Sequence, residues 1–297
     1  MNELARRYGL SLSLTFAALT AFWLLALVIL PNITLFESSF RPYLPLREVG
    51  GPKDVYSVSN YLTFFESPIH IKVFFQTVIY SSIVTLLCFA LAYPLAYFLA
   101  KVANIKSVPT LFLLLLIPLW VSEILRSFAW FIILSLKGPL SAVLIGLNII
   151  DKPVHWMWGL GGYSGVLIGL VYTYVLFMLF PLYSSMQSLD TNQIEAARDL
   201  GSKWWQIHWR VIVPHAKPGI ASGCVTVFML SAGSVIVPTL LASPGSRWFT
   251  EVIQQWMFEA LDWNTGSAYA FLLLLLCIIF VTLMMRLFKV GLADIAK

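Results

Sequence analysis

Residues 73–100 read VFFQTVIYSSIVTLLCFALAYPLAYFLA, and none of them is charged. A helix needs about 20 mostly apolar residues to cross the hydrocarbon core of a bilayer. This run exceeds that length, so it predicts a membrane-spanning helix.

The same pattern recurs at five other places along the chain. Each run is apolar, and only Glu123 and Arg126 interrupt one of them. The predicted spans lie near residues 10–35, 73–100, 108–134, 164–184, 219–241 and 266–287. The sequence therefore predicts an all-α, polytopic membrane protein with six transmembrane helices.

The composition agrees with a chain that is solvated mostly by lipid. Of 297 residues, 59% are hydrophobic and only 11% are charged, with a mean hydropathy of +0.84. Ordinary soluble domains carry about 25% charged residues. A soluble enzyme and a disordered chain are thereby excluded, and the net charge of +5 is better explained by membrane topology than by nucleic-acid binding.

Basic residues indicate the orientation. With the N-terminus inside, eleven lie in cytoplasmic segments and seven in outer segments. Because Lys and Arg concentrate on the cytoplasmic side, we expect both termini there. The predicted regions are 1–69 (first span and long periplasmic loop), 70–288 (core, with a cytoplasmic loop at 184–217) and 289–297 (cytoplasmic tail).

That cytoplasmic loop has the pattern of a helix, a tight turn and a second helix. Asp190 or Thr191 can cap the first helix. Gly201 suits a helix end that requires positive φ. We expect the second helix, over 203–213, to end at Pro214, and Pro218 to open the fifth span.

The loop also resembles a known motif. It reads EAARDLG over 195–201, then nine residues, then VIVP over 211–214. This is similar to the EAA loop of binding-protein-dependent ABC importer permeases, in which Glu-Ala-Ala, three residues, Gly and nine residues precede Ile-x-Leu-Pro. The spacing agrees throughout, with Val in place of Ile and Leu.

The resemblance implies a type I importer permease fold and a coupling helix that docks on a separate ATPase. The coupling residues carried over by position are Glu195, Ala196, Ala197, Arg198, Asp199, Gly201 and Pro214. It also implies a second homologous permease, an ATPase homodimer and a periplasmic solute-binding protein, in a bacterial inner membrane. ATP and Mg²⁺ would bind the ATPase, so this chain would hold no cofactor or metal and catalyse no reaction.

Further segments, among them Pro118–Trp120 and Leu125–Trp130, are similar to the spermidine/putrescine permease branch of that family. One departure concerns the fifth span. Members of the branch tend to carry an acidic residue there, whereas 219–241 has none. Polyamine is therefore the leading cargo, with amino-acid derivatives or other small solutes as alternatives.

Few polar residues are available to line a path. Glu123 and Arg126 are the charged residues inside a predicted span, and such residues are functional candidates. They can contact substrate, or they can pair with each other at i,i+3 spacing. Ser231 and Ser234 lie in a small, polar stretch that either allows close helix packing or borders the path.

Aromatic residues have two expected roles. A first set can hold a cation over its ring faces or simply pack between helices: Trp120, Trp130, Tyr172 and Tyr174. A second set is expected at the outer membrane interface: Trp156, Trp158, Trp248 and Trp256.

Two other classes remain open. A stand-alone secondary transporter would need more ionisable groups inside the membrane than Glu123 and Arg126. An intramembrane enzyme would need acids or histidines clustered at one depth, and the sequence shows no such cluster. A phosphate-binding Gly-rich motif with Lys and Ser/Thr is also absent.

Overall fold

A computed structural model describes residues 10–45, 48, 50–104 and 106–291, without the side chains of residues 10, 11 and 13. Every regular element in these ranges is helical. Six helices are long and apolar enough to cross a membrane: Leu14–Ser39, Pro68–Val102, Glu123–Gly146, Ser164–Gln187, Trp204–Ala232 and Trp263–Phe288. The predicted all-α class with six spans is confirmed.

The remaining helices are short. They are Ser59–Glu66, Val108–Trp120, Trp156–Trp158, Gly159–Gly162, Thr191–Asp199, Ile236–Leu241, Phe249–Gln254 and Gln255–Glu259. The span Glu123–Gly146 consists of Glu123–Leu134 and Pro139–Gly146, separated by a turn.

The chain divides into two compact units, and the first comprises Met1–Pro68 with Ile253–Leu273. The first span is exposed, and no residue of its most apolar stretch is buried within the structure. Side-chain contacts link the described residues of the loop after it. Arg41 forms ion pairs with Glu37 at 2.6 Å and with Asp54 at 2.9 Å, while the Asn60 amide donates to the Ser39 carbonyl.

The second unit comprises Ile69–Val252 with Leu274–Lys297. At its centre Ser164–Gln187 packs along Val213–Ala232. Two glycines allow this close approach, because a Cβ at Gly219 would fall 2.4 Å from the Pro181 carbonyl oxygen and one at Gly223 2.6 Å from Met178 Sδ. Small residues serve this purpose at many contacts between membrane helices.

Two predicted spans are interrupted. The helix expected over 108–134 stops at Trp120 and restarts at Glu123, where the Ser122 hydroxyl accepts a hydrogen bond from Leu125 N at 3.3 Å. The helix expected over 219–241 stops at Ala232 and restarts at Ile236. Both breaks lie within continuous apolar sequence, so the hydropathy pattern does not reveal them. Side-chain caps replace the backbone hydrogen bonds that are lost there.

The expected helix end at Pro214 is wrong. The second helix of the loop and the fifth span form one helical run, Trp204–Ala232. A π turn over His208–Ile212 lies just before Pro214, and Val213 N donates to the His208 carbonyl. The wider turn accommodates a residue that lacks an N–H and whose ring would crowd an ordinary α-turn.

The predicted regions 1–69, 70–288 and 289–297 remain predictions. Arg6, Arg7, Arg47 and Lys297, which contributed to the orientation argument, lie outside the described residues.

Candidate functional site

The first helix of the loop, Thr191–Asp199, is capped at both ends by its own sequence. The Asp190 carboxylate accepts from Asn192 N at 3.0 Å. At the other end Gly201 has φ +77°, Ser202 N donates to the Ala197 carbonyl at 3.1 Å and Gly201 N to the Arg198 carbonyl at 2.9 Å. This is a Schellman end, which requires a left-handed residue, and it confirms the predicted turn.

Space around Gly201 is open, since a Cβ there would meet no atom within 4 Å. The glycine is therefore required by its backbone conformation and not by packing. A side chain at this position would strain the turn without any clash.

The loop helix is held by one face and exposed on the other. Ile194 is buried and Ala197 is half-buried. Most of the residues assigned to coupling are exposed: Glu195, Ala196, Arg198, Asp199, Gly201 and Pro214. Leu200 is also 87% exposed, so this end of the loop presents small, charged and apolar groups that have no cover within the described chain.

Three contacts hold the loop, and sequence reasoning found none of them. Two join it to the second span, and one joins its two ends. Lys101 Nζ donates to the carbonyls of Leu189 and, at 3.5 Å, of Gln187. Ser188 Oγ lies 3.0 Å from His215 Nε2. The third, between Tyr93 Oη and His208 Nδ1, measures 2.8 Å. Because the partners are far apart in sequence, no local pattern reveals these contacts.

A separate polar cluster lies at the two helix breaks. Glu123 is the first residue after one break, and Tyr174 Oη donates to its Oε1 at 3.1 Å. Ser234, at the other break, lies beside the same hydroxyl. The structure thus brings together three residues that had been assigned separately to the substrate path.

Glu123 and Arg126 form no ion pair within 4.0 Å in the described structure, so the predicted pairing is not observed. The guanidinium Nε of Arg126 is buried without a hydrogen-bond partner among the described residues. The Ser234 hydroxyl is buried beside the Tyr174 hydroxyl. The Arg126 guanidinium therefore keeps a donor available for hydrogen bonding.

The segment after the second break caps the helix end. Trp248 Nε1 donates to the Ser231 carbonyl at 3.0 Å, and Thr250 Oγ1 donates to the Ser234 carbonyl at 2.5 Å. Trp248 is fully buried, which corrects its expected place in an interfacial belt. Ser231 therefore contributes its backbone to the cap.

Glu251 completes this segment. Its carboxylate accepts from Trp248 N at 2.7 Å, and burial raises the pKa of the Glu251 carboxyl above its ordinary value. Sequence reasoning missed Thr250 and Glu251 because they lie outside the predicted spans, and it assigned Trp248 a different role.

The remaining path residues lie outside these contacts. Trp130 and Tyr172 pack edge to face, with ring centroids 5.4 Å apart. Trp120 is 75% exposed. Among the described residues no group of three or more His, Cys, Asp or Glu could hold a metal ion.

Six helices that are long and apolar enough to cross a membrane define a polytopic membrane protein. Residues 92–290 match the family described as binding-protein-dependent transport system inner membrane component. The chain belongs to this family and is the permease subunit of an ABC importer of the inner membrane.

Relatives with assigned names support the same family. The chain is 36% identical over 246 residues to the spermidine/putrescine transport system permease protein PotB of Escherichia coli, covering 83% of this chain and 86% of PotB. It is 32% identical to PotB of Haemophilus influenzae, covering 83% of each chain.

Solved structures share the fold at low sequence identity. A bacterial ABC transporter that imports the acidic polysaccharide alginate matches with a TM-score of 0.74 at 16% identity, covering 97% of both chains. The MetNI methionine ABC transporter matches with a TM-score of 0.53 at 16% identity, covering 74% of this chain and 95% of the other.

Proposed function

We propose that this permease imports polyamines of the spermidine/putrescine class from periplasm to cytoplasm. The observation that carries the proposal is the 36% identity to a spermidine/putrescine permease over 83% of the chain. The polar cluster is compatible with such a cargo, since it holds a carboxylate beside aromatic hydroxyl and serine groups.

Glu123 can take the role of the acidic residue that the fifth span lacks. The Glu123 carboxylate is half-buried and bonded to Tyr174, which lies beside Ser234 of the interrupted fifth helix. A neighbouring helix would therefore supply an acid beside the break in the fifth span. A primary ammonium group of a polyamine can bind this carboxylate by a charge-assisted hydrogen bond.

We further propose that the exposed end of Thr191–Asp199 docks on an ATPase dimer in the cytoplasm. The hydrolysis of Mg²⁺-bound ATP takes place in that dimer, and this chain is non-catalytic. ATP-driven closure moves the loop helix, and the residues just before it, 187–189, pass the movement to the spans through their contacts with Lys101 and His215. The pathway then alternates between outward and inward access.

The remaining partners follow from the same assignment. A second, homologous permease completes the pathway, and a periplasmic solute-binding protein delivers the cargo. This arrangement places both termini in the cytoplasm, in agreement with the distribution of Lys and Arg along the sequence.

Uptake measurements test the proposal. Cells that lack their own polyamine importers would express this chain with the ATPase, second permease and binding protein encoded beside it. We expect uptake of labelled spermidine or putrescine that an excess of either polyamine suppresses. If an amino-acid derivative is accumulated and polyamines are not, the cargo assignment is wrong while the permease assignment stands.

A further inference from the structure

A cavity of about 700 Å³ lies between the second span, the start of the fifth and the end of the last. Phe89, Trp209, Phe280 and Met284 are among the residues that line it. None of the described lining residues is Asp, Glu, Lys or Arg. Its volume falls within the roughly 300–1,000 Å³ of small-molecule sites.

Three of the polar side chains in the wall form hydrogen bonds within the protein. Ser82 Oγ donates to the Val78 carbonyl and Thr85 Oγ1 to the Ser81 carbonyl, each at 2.8 Å. The Tyr93 hydroxyl is 2.8 Å from His208 Nδ1. His208 Nε2 is buried without a hydrogen-bond partner among the described residues. Most of the lining is nevertheless apolar, so the wall favours an apolar occupant.

The cavity opens toward the outer surface of the helices. Three of its lining residues are strongly exposed: Leu86 at 66%, Trp209 at 68% and Leu287 at 65%. Trp204 and Trp205 line it as well, and tryptophans concentrate where a membrane protein meets the headgroup region. A hydrocarbon chain can therefore enter from the bilayer.

Basic residues adjoin this lining in the sequence. Lys203 precedes Trp204, Arg210 follows Trp209, and Arg286 and Lys289 flank Leu287 and Phe288. All four are exposed. Within the described structure none of them forms an ion pair. Such cations attract anionic lipid headgroups at a membrane surface.

We propose that this cavity binds one acyl chain of an anionic phospholipid, whose headgroup is held by the neighbouring Lys and Arg side chains. The bound lipid would contact the helix that leads out of the turn at Gly201. The inference requires only that the chain lies in a membrane, and it is independent of the cargo.

Lipid retention tests the site. The importer containing this chain would be purified in detergent, and bound lipids counted by native mass spectrometry. We expect phosphatidylglycerol to be retained in preference to phosphatidylethanolamine. Ala90→Phe projects into the cavity and should reduce this retention at least fivefold, whereas Leu91→Phe, on the same helix but outside the lining, should leave it unchanged.

A surface variant tests the headgroup separately. Arg286→Gln with Lys289→Gln does not alter the cavity wall, so it should fold normally and remove the preference for phosphatidylglycerol. Equal retention of both lipids by the unaltered importer would overturn the proposal. So would an Ala90→Phe protein that keeps its phosphatidylglycerol but loses the second permease, because the cavity would then hold a protein helix.

Discussion

Tyr174 Oη donates a hydrogen bond to Glu123 Oε1 at 3.1 Å, and it joins two helices whose contact residues are 51 positions apart. The bond places a carboxylate at the break between Trp120 and Glu123, beside the second break at Ser234. This cluster is the part of the spans in which a cationic cargo would find an acid.

Replacing Glu123 by Gln removes the charge while the amide oxygen can still accept from Tyr174. We expect polyamine uptake efficiency to fall about tenfold or more, because a hydrogen bond to a charged group contributes roughly 1.5–3 kcal/mol. Transport kinetics in cells with equal amounts of inserted protein measure this. Glu259→Gln, at an exposed glutamate, is the control, and unchanged kinetics in Glu123→Gln would assign Glu123 a structural role.

Gly201→Val should uncouple ATP hydrolysis from uptake. Gly201 has φ +77°, a conformation that costs an L-residue roughly 1–2 kcal/mol. The turn that ends the loop helix Thr191–Asp199 would therefore rearrange. Gly201→Asn should retain more coupling, because Asn tolerates this conformation better. The ratio of polyamine imported to ATP hydrolysed in proteoliposomes gives the result.

The matched control for that strain is Gly245→Val. Gly245 has φ +94° and, like Gly201, open space around it, but it lies far from the loop in sequence. If both valine variants reduced coupling equally, the effect would be general destabilisation and not a property of the loop.

Lys101→Met should loosen the attachment of the loop to the second span. It removes the donor to the carbonyls of Gln187 and Leu189, at a cost of roughly 1–3 kcal/mol. We expect faster proteolysis within 188–203 and lower transport per ATP. Lys106→Met, at an exposed lysine, should behave as the unaltered chain, and identical proteolysis of both variants would argue against the anchoring role.

Trp248→Phe should lower the thermal stability of the purified permease. Phe lacks the second ring and the N–H of the buried indole, so packing is lost and the Ser231 carbonyl loses its donor at 3.0 Å. That carbonyl keeps the bond from Ser234 N at 3.3 Å, so the hydrogen-bond part of the loss is about 0.5–1.5 kcal/mol. Trp158→Phe, at a residue 48% exposed, should change the melting temperature little. Equal melting temperatures for both variants would show that the cap is dispensable.

Glu251 should make stability depend on pH. Burial raises its folded-state pKa above the ordinary value of 4.5, so between these two values the folded carboxyl binds a proton that the unfolded one has lost. Stability contributed by this group is therefore greatest below that window and declines as pH rises through it. Glu251→Gln should flatten the decline in melting temperature, whereas an unchanged slope would exclude Glu251 as its source.

The sequence by itself determined the number of spans and the helix–turn–helix form of the loop at 184–217, although the bounds of the third and fifth spans differ from the predicted ones. Both are encoded by contiguous residues: span length by uncharged runs such as 73–100, the start of the loop helix by Asp190, and its end by Gly201. Their physical causes act within one or two turns of chain, which is why the pattern predicted them correctly.

Only the tertiary structure decided where two spans break, how Trp204–Ala232 passes Pro214 as one helix, and which polar groups meet. The contact between Lys101 and Leu189 joins residues 88 positions apart, and the Ser231 carbonyl is capped by Trp248 from beyond the fifth span. A helix can stop inside an apolar run when a distant side chain satisfies its free carbonyls. That compensation depends on packing, which no local pattern of residues contains.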